Sequence, residues 1–282
     1  MNELGKNTLP NFNFGSGLWF AFKVQIYSIP FIVIPFILLK ILQSNKIISK
    51  DFEQLFNGLT LIIGIIFGYY FVIKKAKNSL LINSIKLPKV ALLEVIIVLT
   101  IAFFTSYIES ELISFLNLPN WDYNRDQNVY VIFVFGVFLA PILEEIICRK
   151  ILIDTFLRNY SPAISIIFSA LIFGILHFNP PNIVAAFSGG IILGWMYFRT
   201  KSLTITIIYH SFNNLLALSP SVFPSLKKSV LFSNKSFYEL ENNKWFYFLI
   251  LGISILIIIV LLKILNELWR KPKEDSFFFI YN

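Results

Sequence analysis

The chain has 282 residues, of which 56% are hydrophobic and 14% charged, and carries a formal net charge of +8. Soluble globular domains are nearer about 45–50% apolar and about 25% charged, so a soluble fold is excluded; the apolar excess falls in long runs that suit a bilayer. The basic balance does not point to nucleic acid, because the lysines gather at the ends of the apolar runs, where they meet lipid headgroups.

In chain order, residues 1–14 are polar, with Glu3 and Lys6, and no small-residue cleavage signature follows the first apolar run. A removed signal peptide is therefore not expected. Eight spans are predicted, at residues 18–42, 57–73, 89–108, 129–150, 162–178, 182–199, 203–218 and 245–266. The expected fold is an all-α integral membrane bundle of about eight transmembrane helices with the active site inside it. The fifth to seventh spans are short, as befits helices packed within a bundle or crossing only part of the bilayer. The runs are continuous rather than alternating, which excludes a β-barrel. Residues 219–244, with Pro220 and Pro224, read as a long external loop, and residues 275–282 as a tail too short to span. The single cysteine, Cys148, allows no intrachain disulfide and reads as a small buried hydrophobe. Gly190 and Gly194 form a small-xxx-small pattern for close helix packing.

Basic residues in the connections set the topology. On the side of the N-terminus stand Lys6, Lys74, Lys75, Lys77, Lys86, Lys89, Arg149, Lys150, Arg158, Arg199, Lys201, Arg270, Lys271 and Lys273, fourteen in all. Opposite them are Lys46, Lys50, Arg125, Lys227, Lys228, Lys235 and Lys244, seven in all. Both termini are expected in the cytoplasm, and the chain in the cell membrane as a multi-pass protein.

Within the central spans a few polar groups stand out. The fourth runs uncharged from Val129 to Leu143 and then presents Glu144-Glu145-Ile146-Ile147-Cys148-Arg149. Such groups deep in a span cost about 2.5–3.5 kcal/mol each on insertion scales and usually face the bundle interior. Glu145 and Arg149, four apart, are neighbours on one helix face and can pair. Glu144 points about 100° away, has no opposite charge on its own face, and is free to act as a base. The chain has two histidines, and both fall in these spans. His177 shares a face with Phe173, and His210 with Asn214, so an imidazole and a carboxamide donor point the same way, an arrangement suited to a developing oxyanion. Asn213 reads as packing glue or a helper. Each feature has a structural reading as well: a topological anchor for the glutamates and Arg149, an interhelical hydrogen bond for the histidines and Asn214.

Three motifs resemble those of the CPBP intramembrane proteases, the family of type II CAAX prenyl endopeptidases and bacterial bacteriocin-processing and self-immunity (Abi) proteins. Glu144-Glu145-xxx-Arg149 resembles E-E-x-x-x-R, Phe173-xxx-His177 resembles F-x-x-x-H, and His210-xxx-Asn214 resembles H-x-x-x-N. The similarity covers about residues 129–218, leaving residues 1–128 (spans one to three) and 219–282 (loop, last span and tail) without a family signature. The resemblance implies a metal-independent endopeptidase. Glu144, assisted by His177, would activate a water; His210 and Asn214 would stabilise the oxyanion; Glu145, Arg149, Phe173 and Asn213 would support them. The implied substrate is a membrane-anchored peptide or protein within the lipid bilayer, with no cofactor, no metal and no nucleic acid. Three other readings use the same residues: a zinc protease ligated by Glu144, His177 and His210, a non-catalytic scaffold or immunity protein, and a proton relay.

Overall fold

A computed structural model describes residues 12–77, 87–119, 128–223, 225–226 and 244–270. Most of the expected external loop and the whole tail from residue 275 lie outside these. The described residues form eight long helices and no strand: α1 (Phe14–Ser44), α2 (Lys50–Lys77), α3 (Leu92–Leu116), α4 (Val129–Phe156), α5 (Pro162–Ile175), α6 (Pro180–Thr200), α7 (Leu203–Val222) and α8 (Lys244–Leu268).

Six of the eight are long and apolar enough to cross a membrane; α5 and α7 are not among them. This corrects the count of eight spans. At about 1.5 Å per residue, the 14 residues of α5 cover only two thirds of a hydrocarbon core about 30 Å thick. Helix α7 is long enough, but His210, Asn213 and Asn214 dilute its apolar character. The third span is longer than expected. It runs to Leu116 and ends on Asn117 in the left-handed conformation (φ 45°), a common helix stop, so Glu109 lies inside the helix rather than beyond it.

Local sequence sets most helix starts. Asn13 and Ser16 form a capping box at α1, their side chains bonding each other's backbone N–H at 2.8 and 2.9 Å. Asn128 caps α4 and Ser161 caps α5, the latter followed by Pro162 in the first turn.

The bundle is inside-out relative to a soluble protein. Ile34, Leu92, Phe115 and Trp245 are among many large apolar side chains left exposed, as a lipid-facing surface requires. The buried centre is the second half of α4, where Arg149, Ile151, Leu152, Ile153 and Phe156 have no exposed surface. Helices α5 and α6 pack on it as a tight pair. A Cβ on Gly190 would lie 3.1 Å from the Ala170 methyl, and one on Gly194 2.9 Å from Ile166, so the small-xxx-small pattern marks a close approach.

Helices α1 and α2 form a second tight hairpin, through a Gly64-xxx-Gly68 repeat that the sequence reading passed over. A Cβ on Gly68 would collide with the Val24 carbonyl oxygen and the Ser28 hydroxyl. Ser28 turns that hydroxyl back onto Val24 O at 2.7 Å, leaving no donor aimed at lipid. The hairpin meets the rest of the bundle at Gly17, where a Cβ would strike the Phe156 ring of α4.

Candidate active site

Helix α4 is not a regular α-helix. It widens to π-helix at Phe135–Leu139 and again at Ile146–Ile153, on either side of Ala140–Glu145. Such insertions are uncommon and gather at functional sites. The first has a cause in the sequence. The N–H of Ala140 bonds the Phe135 carbonyl rather than that of Gly136, and the next donor in π register would be residue 141, a proline with no N–H. The Gly136 carbonyl is thus left without a helix donor. Asn214 of α7 fills the gap, its Nδ2 donating to Gly136 O at 2.7 Å. Helix α7 lies close here: a Cβ at Gly136 would sit 2.7 Å from the tip of the Leu218 side chain.

One turn on, Glu145 and Arg149 are fully buried, with Arg149 Nε 3.0 Å from Glu145 Oε2. The contact is an ion pair by distance, without an aligned hydrogen bond along that line. Two charges in this setting need more than each other, since desolvation costs several kcal/mol per ion. Further partners come from neighbouring helices. His210 Nδ1 of α7 lies 3.0 Å from Glu145 Oε1. The Arg149 guanidinium stands 4.7 Å from the Phe173 ring centroid, and its Nη1 donates to Ser169 Oγ at 3.4 Å. A desolvated cation over a ring gains about 2 kcal/mol. Ser169 in turn donates to the Cys148 carbonyl at 2.6 Å, tying α5 to α4.

Phe173 is the hub of the arrangement. Its ring meets His177 edge-on at 4.9 Å and His210 at 5.3 Å between centroids. The two imidazoles, 33 positions apart in sequence, therefore flank one phenyl ring. His177 is not on the helix, as its spacing from Phe173 suggested. Helix α5 ends at Ile175, and His177 occupies the turn beyond it. Its Nδ1 lies 2.8 Å from the Phe173 carbonyl, which can only accept, so Nδ1 carries the proton and Nε2 is the acceptor. Phe178 follows at φ 56°, with Asn179 N–H donating back to His177 O at 2.6 Å. A left-handed aromatic residue in so tight a turn is strained, and the strain adjoins His177.

Glu144 lies apart from its neighbour's ion pair, as its helical offset suggested. Its Oε2 is 3.6 Å from His210 Nε2 and makes no hydrogen bond. Glu144 and His177 share a partly open cavity of about 70 Å³, lined also by Phe173, Cys148 and, from the α1–α2 hairpin, Gln25 and Tyr69. His210 stands behind Glu144 rather than in this lining. Asn214 is further off on the Gly136 carbonyl, and Asn213 accepts from Ser106 Oγ at 3.1 Å. Glu144, His177 and His210 do not converge as a three-donor metal set among the described residues.

Sequence reading missed four participants. Ser169 left a faint signal, a hydroxyl in an apolar helix one turn before Phe173. Glu109 lay past the expected end of its span; it accepts from Ser188 Oγ at 2.7 Å and links α3 to α6. Tyr69 and Gln25 carry no signal at all, because only the hairpin's packing brings them to the cavity.

Residues 126–216, about a third of the chain, match the family model described as type II CAAX prenyl endopeptidase Rce1-like. No curated protein and no solved structure matches the chain. The matched stretch covers α4, the Phe173 hub and most of α7, and this part of the chain is similar to the Rce1-like type II CAAX prenyl endopeptidases.

Proposed function

We propose that the protein is a glutamate-type intramembrane endopeptidase. The observation that carries this reading is that Glu144 and His177, the latter with its acceptor nitrogen free, line one cavity. A volume of about 70 Å³ accommodates a few waters, since one needs about 10–15 Å³ by this measure. Water held there gives a proton to Glu144 while its oxygen attacks the scissile carbonyl carbon, with His177 Nε2 accepting the second O–H. The proton then passes from Glu144 to the leaving nitrogen as the C–N bond breaks, leaving a free acid and a free amine.

His210 stabilises the charge that develops. A ring protonated on both nitrogens can donate toward Glu145 and toward the reaction side; a neutral ring can serve only one. Asn214 contributes in this state through the backbone, by fixing the widened turn of α4 before Glu144. Its donation to an oxyanion requires release from Gly136. The substrate is a membrane-associated peptide or protein; a prenylated C-terminus, as the family's description names, is one member of that class.

The test is comparative peptidomics of cells carrying the wild-type chain or Glu144→Gln at equal membrane abundance. Loss of the general base should lower turnover by roughly 10²–10⁴-fold, so peptides shed by the wild type should vanish from the variant. Identical peptide sets would overturn the reading.

A further inference from the structure

Resting on that reading, we propose that Tyr69 and Gln25, from the α1–α2 hairpin outside the matched domain, belong to the catalytic site and hold the attacking water between Glu144 and His177.

The first ground is the cavity lining. Ala21, Val24, Gln25 and Tyr69 form one wall of the cavity that Glu144 and His177 line, so the matched domain, residues 126–216, supplies only part of the chamber. The second is satisfaction of polar groups. Tyr69 is only 9% exposed, and neither its hydroxyl nor the Gln25 amide makes a hydrogen bond among the described residues. Gln25 is half-buried, and neither group is among the sealed, unpaired polar atoms of the described residues, so both keep accessible surface where lipid offers no partner. What they face is the chamber. A water inside a protein makes about three hydrogen bonds. Glu144 and His177 accept, the tyrosine hydroxyl can donate and accept, and the amide offers both an acceptor and two donors. The remaining lining, including Ile147, Phe173 and Leu176, has little to offer. Without the hairpin, water beside Glu144 would face mostly hydrocarbon.

The third ground is how the two residues are placed. The tightest point of the hairpin is Gly68 against Val24. Tyr69 and Gln25 each follow one of that pair in sequence, so one backbone contact aims both side chains at the same chamber. A longer side chain at Gly68 would part the helices and withdraw both.

The experiment uses the full chain in proteoliposomes and a synthetic peptide spanning a cleavage junction that cells lose with Glu144→Gln. Tyr69→Phe keeps the ring and removes only the hydroxyl. Its kcat should fall about tenfold or more, with KM within about twofold, an unchanged melting temperature in detergent and a displaced pH–rate profile. Gln25→Leu should behave alike. Tyr69→Leu serves as the packing control: a purely structural role lets Phe rescue what Leu loses and leaves the pH profile in place. Full kcat and an unmoved profile in Tyr69→Phe and Gln25→Leu, with Glu144→Gln inactive, overturn the assignment while sparing the protease reading. An active Glu144→Gln overturns both.

Discussion

Burial of Arg149 is the steepest residue-scale commitment in this chain. The guanidinium has no exposed surface and is held by Glu145, Ser169 and the Phe173 face. Removing it leaves the Glu145 carboxylate dry, with only His210 and Thr206 beside it. Arg149→Met should therefore cost about 3–5 kcal/mol, read as a lowered unfolding midpoint in detergent. Arg149→Lys should restore little, because an ammonium cannot reach carboxylate, hydroxyl and ring together. Asn214 permits a sharper test. If its amide serves the carbonyl that Pro141 cannot, Asn214→Ala should cost about 1–3 kcal/mol in the native background. It should cost clearly less with Pro141→Ala, whose new N–H can donate to Gly136. A double-mutant cycle measures this; strict additivity would refute the link.

At the level of elements, the π-helical stretches of α4 and the two glycine-lined hairpins position the chemistry. Widening the helix at Ile146–Ile153 shifts the register just after Glu145, so Glu144 can face the chamber while its neighbour keeps the ion pair. The α5–α6 pair holds Phe173 and His177 against α4 through the contacts of Gly190 and Gly194. Gly194→Leu should force these helices apart, costing about 1–3 kcal/mol or more and removing activity even in the folded fraction. Matched measurements of melting and of turnover per folded molecule would show it. Motif spacing located Phe173, His177, His210 and Asn214 on short helical segments. It could not show that α5 stops at Ile175, because an apolar run continues to Phe178 and the strained turn that ends it bears no glycine or proline at its left-handed position.

For the whole molecule, the proposed catalytic groups come from α4, the α5–α6 turn and α7, with cavity walls from α1 and α2. Because catalysis as proposed uses a carboxylate and imidazoles, activity in proteoliposomes should survive dialysis against a strong chelator unchanged. A loss restored by added zinc would reinstate a metal mechanism. The two helices not counted as candidate spans, α5 and α7, carry three of the four proposed catalytic and oxyanion residues or lead directly to them.

The sequence by itself determined the membrane character, the eight helical segments and the set of polar residues in conflict with their surroundings. Those properties depend on local composition and on the 3.6-residue period, which are readable one segment at a time. Tertiary structure alone decided that Phe173 joins two distant histidines, that Asn214 completes a helix broken by Pro141, and that Gln25 and Tyr69 reach the cavity. Each of these depends on which helix faces lie against one another, and that is settled by glycine contacts and shared burial across the whole bundle rather than by any single stretch of chain.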